Sequence, residues 1–167
     1  MKTRSNVAVA LLLIGLGVWF LAIQFFPTLK EFAYSSTSWP LMIIGAGVFL
    51  GLLALVLWVP GLWIPACIVG GIGGLLYWQN LNDRWETWAF TWTLIPGFVG
   101  VGMLISGFLS KNRRQIVGAG WNIFTSLILF AIFGSFLGGI SILGTYWPIL
   151  LILLGLVFLG TGLFRRK

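Results

Sequence analysis

The sequence predicts an all-α integral membrane protein: six transmembrane helices forming three tandem helical hairpins of one orientation, in a pseudo-three-fold repeat. Three observations carry this prediction. The chain of 167 residues is 59% hydrophobic and only 8% charged, whereas a soluble domain has roughly a quarter of its residues charged. Its apolar residues fall into six long runs free of Asp, Glu, Lys and Arg. Finally, "TSWPLMIIGAGVFLG" at 37–51 is nearly restated by "GTYWPILLILLGLVFLG" at 144–160.

In chain order the runs are Val7 to Phe26, Trp39 to Trp58, Leu62 to Trp78, Thr93 to Leu109, Ile116 to Ile140 and Pro148 to Phe164. A helix rises about 1.5 Å per residue, so crossing a hydrocarbon core of about 30 Å takes about 20 residues, with a range of about 17 to 25. All six runs fall in that range. The first begins on Lys2 and Arg4, as a secretory signal would, but it is longer than a signal's apolar core and "AIQFFPTLK" lacks a small-x-small cleavage site. It reads as a retained helix, and 1–167 reads as a single membrane domain.

Aligning Trp39, Trp92 and Trp147 brings Gly47, Gly100 and Gly155 into register eight residues on, and the small residues Ala54, Gly107 and Gly162 fifteen residues on. Upstream, "IGLGVWFLAIQ" at 14–24 matches "VGGIGGLLYWQ" at 69–79, placing Gly15 over Gly70 and Gln24 over Gln79. Self-similarity at a fixed period marks a repeat architecture. The units are approximately 1–58, 59–111 and 112–167, each consisting of a helix, an outer loop, a tryptophan and a second helix. Each unit holds two spans, so all three enter the membrane in the same sense.

The Trp-Pro pairs mark helix entrances. Proline suits the first helical turn, where its missing N–H would have no partner, and Ser38 or Thr145 just before it is positioned to cap free amides. Tryptophan favours the membrane–water boundary, so Trp39, Trp92 and Trp147 are expected as interfacial anchors. Small residues recur at four-residue spacing in Gly47/Gly51, Ala66/Gly70/Gly74 and Gly134/Gly138. In lipid, where apolar contact alone does not drive association, such stripes let backbones approach. With Gly100 and Gly155 they are expected at helix–helix contacts.

Catalytic chemistry has little to work with. The chain contains no histidine and one cysteine, which excludes Cys/His metal clusters and a histidine-based triad. Cys67 reads as a small hydrophobe within a span. "GGIGG" at 70–74 lies inside an apolar run with no strand before it and no lysine after it, so it is not a phosphate loop. No catalytic, cofactor-binding or metal-binding residue is assigned. The polar candidates inside the membrane are Gln24, Gln79 and Asn122. No span carries an ionisable group, so ion-coupled transport is not expected.

The formal net charge of +7 is a topology signal. Lys2, Arg4, Lys111, Arg113, Arg114, Arg165, Arg166 and Lys167 fall at the two termini and between runs four and five. Glu31, Asp83 and Glu86 fall in the other polar loops with Lys30 and Arg84. Basic residues are retained on the cytoplasmic side, so both termini are expected in the cytoplasm and loops 27–38, 80–91 and 138–146 outside. Insertion already accounts for this charge pattern, and nucleic acid is not expected as a partner.

"RSNVAVALLLIGLGVWFLAIQFFP…SWPLMIIGAGVFL" and "GTYWPILLILLGLVFLGTGLFRRK" resemble the two-helix LiaI/LiaF-like transmembrane region of bacterial envelope proteins. Arg4, Gly15, Gly17, Trp39, Pro40 and Gly47 carry the resemblance in the first unit, and Trp147, Pro148, Gly155, Arg165 and Arg166 in the third. The resemblance implies a place in the bacterial cytoplasmic membrane and action through contact with other membrane proteins in envelope stress signalling. The soluble C-terminal domain of LiaF-type members is not expected here, the sequence ending on "LFRRK". The expected function is a non-catalytic packing or scaffold role, with the bilayer and other membrane proteins as partners and homo-oligomers among the options. Two alternatives stand beside it. One is an accessory subunit of a larger respiratory or photosynthetic membrane complex. The other is a small channel or lipid/solute transporter, which requires a polar cavity lined by Gln24, Gln79 and Asn122.

Overall fold

The computed structural model describes residues 2–35 and 38–137, together with Pro148, Ile149, Leu151, Ile152 and Gly155. Its elements are α1 (Lys2–Phe25), α2 (Pro27–Tyr34), α3 (Trp39–Val56), α4 (Trp63–Asn82), α5 (Trp88–Thr91), α6 (Ile95–Leu109) and α7 (Arg113–Phe136). No strand occurs among the described residues. Four helical segments are long and apolar enough to cross a membrane: Trp39–Val56, Pro60–Asn82, Trp85–Leu109 and Arg113–Phe136. α1 is a fifth long helix, apolar along Leu13–Phe25. Most of the sixth expected span, 148–164, lies outside the described residues, as do Trp147, Gly138 and Thr145.

Helix ends follow the proline and αL rules. Pro27, Pro40 and Pro96 all stand in the first turns of their helices. α3 closes through Trp58 in the left-handed region (φ 50°), with Trp58 N–H donating to Leu55 O and Val59 N–H to Ala54 O. α6 closes identically through Lys111 (φ 52°), with Lys111 N–H donating to Phe108 O and Asn112 N–H to Gly107 O. This pair of bonds is the Schellman closure, and it recurs here displaced by 53 residues, the Trp39-to-Trp92 spacing. After each closure the chain is extended, at Val59 and at Asn112. Val59 is held so by the following proline. Asn112 instead caps α7, its Oδ1 accepting from the Gln115 N–H.

The helices pack in chain order, α3 on α4, α4 on α6 and α6 on α7. A Cβ built on Gly47 would meet Gly70 N at 2.5 Å and Ala66 O at 3.1 Å. One built on Gly100 would meet Ile123 N at 3.0 Å and Ala119 O at 2.9 Å. Gly73 abuts Ile44, and Gly97 abuts Ser126. Each pair in the α3/α4 hairpin has its counterpart 53 residues on in the α6/α7 hairpin. The close pairs therefore join helices on either side of the unit boundaries near 59 and 112. α3 and α6 run parallel to each other, both from their tryptophan end to their αL end.

Several expectations need correction. The segment expected as loop 80–91 is helical from Trp85 onward through two short 3-10 turns, so the fourth span begins well before Thr93. α2 occupies most of the first outer loop. Ser38 sits at the α3 N-cap, yet its side chain makes no capping hydrogen bond. Gly74 is exposed with open space where a Cβ would stand and lies at no helix contact among the described residues. Gly155 belongs to a segment most of which lies outside the described residues. Gly51 and Gly70 would meet their neighbours only at ordinary contact distance, 3.6 Å and 4.0 Å, while Gly134 is buried on α7.

Gly47→Ala and Gly100→Ala should each lower stability by about 1–3 kcal/mol, because backbone must move to admit the methyl group. Gly74→Ala should be neutral or stabilising, by up to about 1 kcal/mol from helix propensity. Reversible unfolding of helicity in mixed micelles measures all three. Equal effects at Gly47 and Gly74 would contradict this packing.

Candidate functional site

The buried interior is polar at a few points, and several of them tie two elements together. Gln79 near the end of α4 is fully buried. Its Nε2 donates to Thr87 Oγ1 and to Thr91 Oγ1, each at 3.0 Å. The Thr87 hydroxyl already donates to Arg84 O at 2.6 Å, so towards Gln79 it can only accept, which orients the amide. Gln79 O accepts the Arg84 N–H as the chain turns through Asp83 in the left-handed region. One glutamine thus fastens the α4–α5 corner by side chain and backbone. Its Oε1 is buried without a partner among the described residues, and so is Trp63 Nε1.

A second seam joins α6 to α7. Ser126 Oγ donates to Thr93 O at 2.7 Å, and the Thr93 hydroxyl donates to Phe90 O. Thr93 takes the position that Pro40 holds in the first hairpin, and both are fully buried; Ser126 takes the position of Gly73. The two polar substitutions compensate each other across the helix pair. Gln115 Nε2 donates to Ser106 Oγ at 3.0 Å, and Asn122 Nδ2 to Gly118 O at 3.3 Å and Met103 Sδ at 3.4 Å.

The three polar candidates are not brought together. Gln24 is exposed on α1, Gln79 is sealed at the α4–α5 corner, and Asn122 leans on Met103 between α6 and α7. Among the described residues they line no common cavity. The threonines Thr87, Thr91 and Thr93, all buried, escaped the sequence reading because charged neighbours made 83–91 look like a solvated loop. The Gln79 spacing of eight and twelve residues to Thr87 and Thr91 becomes meaningful only once the chain reverses at Asp83.

The tryptophans form a rim at the same end. Trp39 stacks on Trp85 with ring centroids 6.1 Å apart and planes 10° apart. Trp92 is half-exposed, donates from Nε1 to Ala89 O, and meets Phe133 edge-on. Trp78 and Trp88 are also part-exposed. At the opposite end lie Trp58 and the exposed Lys111, Arg113 and Arg114. Between α3 and α4 runs an apolar groove of about 340 Å³, lined at its base by Gly47, Gly51, Ala66 and Gly70.

A double-mutant cycle of Gln79→Leu against Thr91→Val should give a coupling of about 0.6 kcal/mol and no more than about 1.7 kcal/mol, the range of interhelical hydrogen bonds in lipid. A coupling of zero would show that this glutamine does not hold the corner. No family model matches the chain, and neither the curated proteins nor the solved structures contain one found to be similar to it.

Proposed function

We propose that the chain is a non-catalytic integral membrane protein of the bacterial envelope, acting as a packing or scaffold element through helix contacts with other membrane proteins. The observation that carries this reading is α1. Among its described side chains only Ile23 is buried, while Leu13, Ile14, Val18 and Phe20 are each at least 60% exposed. Its contact with α3 rests on Gly15 beneath the Phe49 ring. Among the described residues this long apolar helix is lightly held, which leaves most of its apolar surface for another membrane helix.

The polar interior supports the same reading. The hydrogen bonds of Gln79, Asn122, Gln115 and Ser126 run to other groups of the chain, which ties neighbouring elements together. The LiaI/LiaF-like units remain part of the proposal. The contacts displaced by 53 residues support tandem units of one orientation, and the row of packed helices favours hairpins standing side by side over a closed ring. The cationic inner turn at Lys111, Arg113 and Arg114 favours a cytoplasmic location for that end.

A photo-crosslinking amino acid at Leu13 or Val18, irradiated in intact cells, should capture a discrete membrane protein. The same group at Gly74, beside the Gln79 corner, should capture it less. Adducts with lipid alone at Leu13 and Val18 would contradict the scaffold role.

A further inference from the structure

We infer that the α6–α7 turn holds the headgroup of an anionic phospholipid on Lys111, Arg113 and Arg114. These three cations fall within four residues, and all are exposed. The chain has no carboxylate side chain to set against them. Its three acids are Glu31, Asp83 and Glu86, on α2 and at or just beyond the end of α4, which is the tryptophan end of the helices. α6 alone, with 15 residues, separates the two ends by about 22 Å at 1.5 Å per residue. That is about twice the screening length at about 0.1 M salt, so the acids do little for this turn. The start of α7 adds to the imbalance. Arg113 and Arg114 open that helix, where the helix dipole favours an acid. The counter-charge has to come from another molecule.

The build of the turn and its surroundings select a lipid. Besides the Schellman bonds, Asn112 Oδ1 accepts the Gln115 N–H, Gln115 Nε2 donates to Ser106 Oγ, and Ser110 Oγ donates to Ser106 O at 2.7 Å. The cations therefore stand on a preformed base, which lowers the ordering cost of binding, and an arginine's planar fork matches the oxygens of a phosphate. Apolar side chains flank them on both helices: Phe108 and Leu109 before the turn and Val117 after it, all exposed. A ligand that suits this surface is anionic at its head and hydrocarbon below. A free phosphate or a nucleic acid is not. The positive-inside rule sets the side on which such a turn lies, but it supplies no counter-ion. Nor does the closure itself require charge, because the α3–α4 turn closes through the same bonds and carries none from Leu57 to Leu62. The inference rests on the membrane-spanning reading.

The test reconstitutes the full chain in phosphatidylcholine vesicles holding a minor share of phosphatidylglycerol, with a trace of either lipid carrying a diazirine on its headgroup. Labelled residues are mapped by mass spectrometry. The ratio of phosphatidylglycerol to phosphatidylcholine labelling at 108–117 should exceed that at 56–62, the uncharged turn, by about fivefold or more, the preference one basic residue gives at an anionic surface. Arg113→Gln with Arg114→Gln should remove most of this excess. Lys30→Gln with Arg84→Gln takes the same charge from the other end and should leave it. In the natural chain, raising the salt from about 0.1 M to about 1 M should also lower the excess, as the screening length falls from about 10 Å to about 3 Å. Equal ratios at the two turns would overturn the inference, as would an excess unchanged by the arginine variant or by salt. An excess abolished by inorganic phosphate at constant ionic strength would assign the turn to a soluble anion and overturn it too. No label from either probe at either turn would overturn the membrane-spanning reading itself.

Discussion

Two helices surrounded by lipid gain little by covering each other's apolar side chains, since the lipid covers them equally well. What holds them is the number of atoms brought to contact distance, and that depends on how near the backbones come. In this protein the limit is set at Gly47 and Gly100, where even a methyl group would press on the facing helix. The facing atoms are equivalent, Ala66 O and Gly70 N in one hairpin and Ala119 O and Ile123 N in the other. Short Cα–H···O contacts at such crossings add a little to the dispersion energy. From these two crossings follow the antiparallel pairing, the matching αL turns and the common direction of α3 and α6.

The polar side chains refine this frame. Gln79 turns what would be an outer loop into helix, because Thr87 and Thr91 meet its amide only when 85–94 is wound. Ser126 and Thr93 show how one hairpin differs from the other without losing register: a glycine–proline pair gives way to a hydrogen-bonded serine–threonine pair. Gly70 and Ile123 make the opposite kind of difference: the Ile123 side chain lies against Gly100, and the equivalent position facing Gly47 carries none.

The four described spans were legible in the sequence because charge is confined to their ends, and the entrance of α3 was legible from Trp39-Pro40. Gly47 and Gly100 stood out through their equal distance from Trp39 and Trp92. The lateral arrangement was much less legible. A helix that faces lipid on one side and protein on the other is apolar on both, so periodicity cannot tell Gly47 from Gly74. For the same reason Gln24 and Gln79 looked equivalent in alignment, although one is exposed on a lightly packed helix and the other is sealed in a corner. The helical start at Trp85 was hidden by Arg84 and Glu86, residues that also suit a solvated turn.

Paired cysteines, placed in a chain whose Cys67 has been replaced, test the twofold recurrence of the hairpin most directly. A Cβ on Gly97 would lie 3.3 Å from Ser126 Cβ, near the separation a disulfide spans. Gly97→Cys with Ser126→Cys, and its counterpart Ile44→Cys with Gly73→Cys, should both crosslink on mild oxidation in vesicles. Val101→Cys with Ser126→Cys and Val48→Cys with Gly73→Cys, each displaced by one helical turn, should not. Crosslinking of the displaced pairs, or of only one of the two registered pairs, would contradict a hairpin built twice on the same contacts.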